Sequence, residues 1–262
     1  MSSSRSSDLW EFPQVNGVEE APGVTLLLLP HAGGSAHAYT ELAALFPSSV
    51  RVVAGQYPGR GPRMRDSLPE RLEDLVEPLT AAVRRCLPGP LVVFGHSLGA
   101  MVGWRLVRAL EGAGRQVSGF VPASCLPPHL ARPVVDTSRS IGTDELLAYL
   151  RRLGGLPEEV FDEPDLLELV LPILRADLAL TADYARPGTE ETIACPLLVL
   201  GGVADKAVPP TGLEQWADRT EHARTDLRLL TGGHFFYKEH LADVAAALTQ
   251  MTEAALPVRR TA

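Results

Sequence analysis

Residues 24–30 read VTLLLLP, an apolar run in which polar and apolar positions do not alternate. A strand with one face in water alternates, so a run apolar throughout must be covered on both faces. Similar runs recur as VRVVAGQYP (50–58), LVVFG (91–95) and CPLLVLGG (195–202). A shorter strand is expected over 119–122, and DLRLLTGG (226–233) supplies the last one. Stretches of helical period separate them: 38–45, 72–87, the segment opening at Leu98, 213–219 and 238–255. Strands alternating with helices predict an α/β fold, a mostly parallel central sheet with helices on both faces. The 262 residues can hold one large domain of this kind or two small ones.

One segment departs from the alternation. Residues 127–191 contain no convincing strand, and two or three helices are expected instead. TDELLAYLRRL places Thr143 as N-cap and Glu145 in the first turn. DLLELVLPILRADLALTADY is apolar nearly all round, and Pro172 should kink it. The insert leaves the C-terminal edge of the sheet, where open α/β folds bind ligands, so it reads as a lid over a site. A helical excursion that only stabilises the core is the other reading. The expected organisation is a lead-in over 1–20 with Trp10 and Phe12 as an anchor, a core over 21–126 and 192–256, a lid over 127–191, and a tail over 257–262.

A net charge of −8 argues against nucleic acid as the main partner. The opening MSSSRSSDLW is followed by no apolar segment of signal-peptide type. The apolar run 166–180 is interrupted by Glu168, Pro172, Arg175 and Asp177, which excludes a membrane span there. Cys86, Cys125 and Cys195 form an odd set without C-x-x-C or metal-ligand spacing, which suits a reducing cytosol. A cytoplasmic monomer that needs no metal or other cofactor is the expectation.

The chemistry begins at GHSLG. Ser97 sits where the 91–95 strand gives way to a helix, and Gly95 and Gly99 let two backbones pass closely. That is the pattern of a nucleophile elbow, in which a strained turn presents a hydroxyl at a helix N-terminus. A serine needs a base, commonly a histidine oriented by a carboxylate. His234 in TGGHFF, just past the last strand, is the strongest base candidate. His222 and His240 sit on or beside helices, while His31, His37, His96 and His129 precede the acid or crowd the elbow. Asp205 in GGVADKAV follows the 197–200 strand across a glycine turn and can reach a histidine from the next strand's end. Asp177 and Asp183 fall on the insert, and Asp218 and Asp226 lie away from the strand terminus. Each residue has a plainer use, as a solvated serine, a turn aspartate or a glycine-loop histidine. Their order, Ser then Asp then His, at successive strand ends favours a triad. The amides of Leu98 and Ala32, the latter in LLPHAGGSA, are the expected oxyanion donors.

The segments LLPHAGGSA, QYPGRGPR, FGHSLGA, LPILRADL and TGGHFFY, in this order, resemble the type II thioesterases of polyketide and nonribosomal peptide biosynthesis. The resemblance runs from about Leu26 to Tyr237. It implies an α/β-hydrolase fold with a helical lid, and a stand-alone hydrolase clearing acyl groups from the phosphopantetheine thiol of acyl or peptidyl carrier proteins. It assigns Ser97 as nucleophile, His234 as base, Asp205 as its orienter, and the amides of Ala32 and Leu98 as oxyanion donors. ASCLPPHL and Pro62 of GRGPR depart from the commoner family pattern without touching the triad.

Carrier proteins are generally acidic, so Arg60, Arg63 and Arg65 are expected to help dock the carrier or its phosphate, with intramolecular ion pairs as the competing use. Leu171 and Pro172 are expected to line an acyl channel. A carboxylesterase or lipase, and a non-catalytic hydrolase-like binding protein, are the rival functions. Met1 and the short polar lead-in favour a discrete protein over a domain cut from a synthase.

Overall fold

The computed structural model describes residues 6–13, 23–134, 142–155, 158–185 and 191–256. Its strands are β1 (Leu9–Glu11), β2 (Val24–Leu29), β3 (Val50–Gly55), β4 (Leu91–His96), β5 (Gly119–Ala123), β6 (Leu197–Gly202) and β7 (Thr225–Leu230). They form one sheet in the order β1-β3-β2-β4-β5-β6-β7. Pairing is parallel from β3 through β2, β4, β5 and β6 to β7.

The unalternating runs are buried as their composition requires: every residue of β2, β4 and β6 is inside. Successive side chains point to opposite faces. Leu27 and Leu29 therefore join a core with Val93, Trp104 and Trp216, while Leu26 and Leu28 join another with Phe94, Tyr39 and Leu248.

The helices are α1 (Thr40–Ala43), α2 (Glu73–Cys86), α3 (Leu98–Gly112), α4 (Thr143–Leu153), α5 (Glu158–Phe161), α6 (Pro164–Ala179), α7 (Thr181–Tyr184), α8 (Pro210–Leu213), α9 (Phe236–Glu239) and α10 (Leu241–Ala255). Side chains of α2 and α3 fill the first core, and those of α1 and α10 the second. This is the α/β-hydrolase arrangement. Among the described residues no helix is long and apolar enough to cross a membrane.

The structure differs from the sequence expectations in several places. Part of the expected lead-in is strand β1, antiparallel to β3 with Trp10 opposite Ala54. Phe12 is buried and the Trp10 ring lies 4.7 Å from that of His37, so the anchoring pair extends the sheet edge. The single helix expected over 238–255 is two, α9 and α10, separated at His240. In the insert, Gly142 rather than Thr143 is the N-cap of α4, and the Thr143 hydroxyl accepts a hydrogen bond from Arg175 of α6 instead (2.8 Å).

Helices α4 to α7 lie between β5 and β6 in sequence, and Leu146, Leu150, Phe161, Leu174 and Leu178 form their own apolar cluster. Helix α6 runs through Pro172 without interruption. A proline removes one helical N–H and displaces one carbonyl bond, and on this exposed side water can satisfy the freed carbonyl.

Candidate active site

Ser97 links β4 to α3 with φ 55° and ψ −116°, a backbone conformation that residues with a Cβ rarely adopt. Its neighbours make the turn possible. A Cβ on Gly95 would lie 2.2 Å from the Gly99 carbonyl oxygen, and a Cβ on Gly99 would lie 1.9 Å from that of Leu29. Helix α3 thus starts in backbone contact with β2, and only hydrogen atoms fit between them.

His234 follows β7 and turns its ring over the elbow. Its Nε2 lies 3.0 Å from Ser97 Oγ, and its Nδ1 lies 2.8 Å from Asp205 Oδ2. A carboxylate only accepts, so Nδ1 carries the proton and Nε2 presents its lone pair to the serine hydroxyl. The other oxygen of Asp205 accepts from the amides of Ala207 (2.9 Å) and Val208 (3.1 Å). Burial by itself raises the Asp205 pKa, but the hydrogen bond and charge of His234 with these two amides outweigh it and hold the carboxyl below its ordinary value. The carboxylate is ionised at neutral pH and ready to stabilise an imidazolium.

Two residues outside the expected set hold the backbone of His234. Its carbonyl oxygen accepts from His96 Nε2 (2.7 Å) and from Ser124 Oγ (2.9 Å). His96 is fully buried, and burial, followed by the neighbouring His234 and His31, pushes its pKa well below the ordinary value. It serves as a neutral donor. Its position beside the elbow made it a poor base candidate in the sequence, and nothing local signals a partner 138 residues away.

Ser97 and His234 open into a cavity of about 70 Å³, whose lining includes Ala32, Leu98, Met101, Tyr149, Leu174 and Leu178. Most of this surface is apolar, and α4 and α6 of the insert supply much of it. The amide of Leu98 is at the first position of α3, where no helical carbonyl is available. Neither it nor the amide of Ala32 makes a hydrogen bond among the described residues. Both residues border the cavity that holds Ser97 Oγ.

The expected binding residues fall elsewhere. Arg60 is buried and makes a two-pronged ion pair with Asp177 of α6, at 2.5 and 2.8 Å. Arg63 pairs with Asp8 (2.6 Å) and Asp66 (2.7 Å). The competing use of these two arginines is therefore the one the fold makes of them, and Arg65 is exposed with no ion pair among the described residues. Leu171 packs at the edge of the insert's own apolar cluster, and Pro172 is exposed. Leu174 and Leu178, one and two turns further along α6, line the cavity in their place. The exposed Asp165, Glu168 and Pro172 mark the outer side of α6, and Leu174 and Leu178 lie on the opposite side, toward the site.

A family profile described as "Thioesterase domain" matches residues 24–252. A protein of Streptomyces griseus named "Probable cadicidin biosynthesis thioesterase" is 32% identical over 231 residues, which are 88% of this chain and 63% of that protein. "Thioesterase PikA5" of Streptomyces venezuelae is 34% identical over 229 residues, 84% of this chain and 78% of its own. The chain thus spans less than two thirds of the first relative and over three quarters of the second. Among solved structures, "Structure of the type II thioesterase BorB from the borrelidin biosynthetic cluster" matches with a TM-score of 0.80 and 26% identity, over 97% of this chain and 99% of that one. With the profile covering most of its length and relatives above 30% identity, the chain belongs to the thioesterase family.

Proposed function

We propose that this chain is a stand-alone type II thioesterase that hydrolyses acyl groups from the phosphopantetheine thiol of acyl or peptidyl carrier proteins, an editing role in polyketide or nonribosomal peptide synthesis. The observation that carries the reading is the hydrogen-bonded chain Asp205–His234–Ser97 opening into an apolar cavity beside two amides that have no partner among the described residues. The biosynthetic names of the relatives support the choice of substrate class.

On this reading Ser97 Oγ attacks the thioester carbonyl while His234 Nε2 takes its proton. Charge builds on the carbonyl oxygen, which the Ala32 and Leu98 amides receive. The tetrahedral intermediate expels the pantetheine sulfur, which leaves with the proton held by His234. Water, activated by the same nitrogen, then attacks the acyl-Ser97 ester and releases the free acid. A thiolate leaves readily, so aiming the nucleophile and stabilising the oxyanion are the main demands, and these residues meet them. The acting form is a cytoplasmic monomer.

The test offers one acyl group on a holo carrier protein, on coenzyme A and as an aryl ester, with Ser97→Ala as control. A higher kcat/KM for the carrier, abolished in Ser97→Ala, supports the assignment. Preference for the aryl ester would overturn it in favour of a carboxylesterase.

A further inference from the structure

Two groups hold the peptide unit between Ala32 and Gly33, one adjacent in sequence and one 144 residues away. Its N–H donates to Asp177 Oδ2 (2.7 Å). Its carbonyl, that of Ala32, accepts from His31 Nδ1 (2.9 Å). The peptide plane is therefore held from both ends, and holding it limits the rotation of Ala32, whose own N–H borders the cavity. Gly33 has φ 75°, and a Cβ there would lie 2.7 Å from Leu174 of the same lid helix. The left-handed turn favours glycine at this position, and the Leu174 side chain leaves little room for a Cβ.

Asp177 is wholly buried, and a buried carboxylate stays charged only when paired. Arg60 supplies that pairing through both terminal nitrogens, while its Nε donates to the Pro58 carbonyl (3.0 Å). Gln56, on the same loop, accepts from the Ala36 amide (3.3 Å) and donates to the Arg60 carbonyl (3.0 Å). The lid helix, the loop after β3 and the loop after β2 thus form one buried polar cluster.

We propose that Asp177 is a positioning residue: through the Gly33 N–H it sets the orientation of the loop whose Ala32 amide receives the oxyanion, and the two-pronged pairing with Arg60 holds the carboxylate in place. The inference rests on the catalytic reading above. It makes the lid helix a part of the oxyanion site as well as a wall of the pocket. Displacing α6 would withdraw the acceptor from Gly33 and loosen the Ala32 amide.

Two double variants separate positioning from simple stabilisation. Arg60→Met with Asp177→Asn removes the ion pair but keeps an oxygen that can accept from Gly33. Arg60→Met with Asp177→Leu removes the ion pair and the acceptor together. Assayed on an aryl ester, the asparagine pair is expected to keep kcat within about threefold of wild type. The leucine pair is expected to lose kcat by about 10²-fold with little change in KM. Inhibition by an alkyl boronic acid, whose tetrahedral adduct on Ser97 places an oxygen in the same site, should weaken in parallel.

Equal kcat in the two pairs would overturn the proposal, whatever their melting temperatures. If the leucine pair does not fold, Asp177→Glu with Arg60 intact replaces it. The longer side chain preserves the ion pair but moves the acceptor away from Gly33, so a kcat loss at unchanged KM is again expected and wild-type kcat refutes the idea. Failure of the underlying reading is visible separately, as wild-type hydrolysis that survives Ser97→Ala.

Discussion

Replacing Gly99 by alanine tests the elbow most directly. The added Cβ would sit 1.9 Å from the Leu29 carbonyl oxygen, whereas ordinary contact begins at 3.4 Å. Helix α3 and strand β2 must then part by roughly 1.5 Å, because backbone cannot rotate away as a side chain can. The Leu29 carbonyl also accepts from the Tyr39 hydroxyl (2.9 Å), and Leu29 pairs with Gly95 across the sheet, so the shift strains both. Overpacking of this kind costs about 3 kcal/mol or more, a fall in melting temperature of roughly 6 to 12 °C for a chain of this size. The Leu98 amide moves with the helix, and a displacement of that order reduces the rate about 10²-fold. Gly112, at the other end of α3, is the internal control: a Cβ there meets nothing within 4 Å, so alanine should stabilise by about 0.5 kcal/mol. Thermal unfolding followed by circular dichroism, with the rate of Ser97 labelling by a fluorophosphonate, measures both effects. A Gly99→Ala protein that melts and labels like wild type would refute the close-approach argument, as would equal losses at the two glycines.

Four further outcomes are expected. Asp205→Asn should lower kcat by about 10⁴-fold by releasing the His234 tautomer; because the folded pKa of Asp205 is depressed, its stabilising contribution is present above the ordinary value of 3.8 and is lost as pH falls through the folded value. Urea unfolding should then show wild type and Asp205→Asn converging in acid, and a constant gap would contradict the cause assigned. Ser124→Ala removes one of two donors to the His234 carbonyl, so stability should drop by about 1 kcal/mol and kcat severalfold; an unaltered kcat leaves Ser124 a purely structural residue. Leu178→Ala should extend acyl preference toward longer chains while Leu171→Ala does not, since only Leu178 borders the cavity; matching chain-length profiles would return both to packing. Arg65→Glu should raise KM for an acyl carrier protein and spare acyl-coenzyme A, and equal effects on both substrates would remove Arg65 from docking.

What was legible in the sequence was local. Unalternating apolar runs announce buried parallel strands because each residue's neighbours in sequence share its environment. Glycines at the ends of those runs mark the turns that hold Ser97, Asp205 and His234, and parallel pairing brings all such ends to one edge of the sheet. Their hydrogen-bonded contact follows from that geometry. Strand β1 was not legible, since three residues carry no measurable period and the pairing with β3 lies more than 40 positions away.

Tertiary structure decided everything that depends on a partner. Arg60 and Arg65 look alike as sequence, yet one is buried against Asp177, 117 residues distant, and the other faces solvent. Leu171 and Leu174 are equally apolar and one turn apart on the same helix, and the packing of α6 over the elbow puts Leu174, not Leu171, on the cavity. His96 was visible as a histidine beside the nucleophile, but its bond to the His234 carbonyl exists only once β7 has delivered that loop. Chain-local chemistry can place a residue at a strand end; it cannot say which distant charge, carbonyl or amide will meet it there, because that is set by how the folded elements close upon one another.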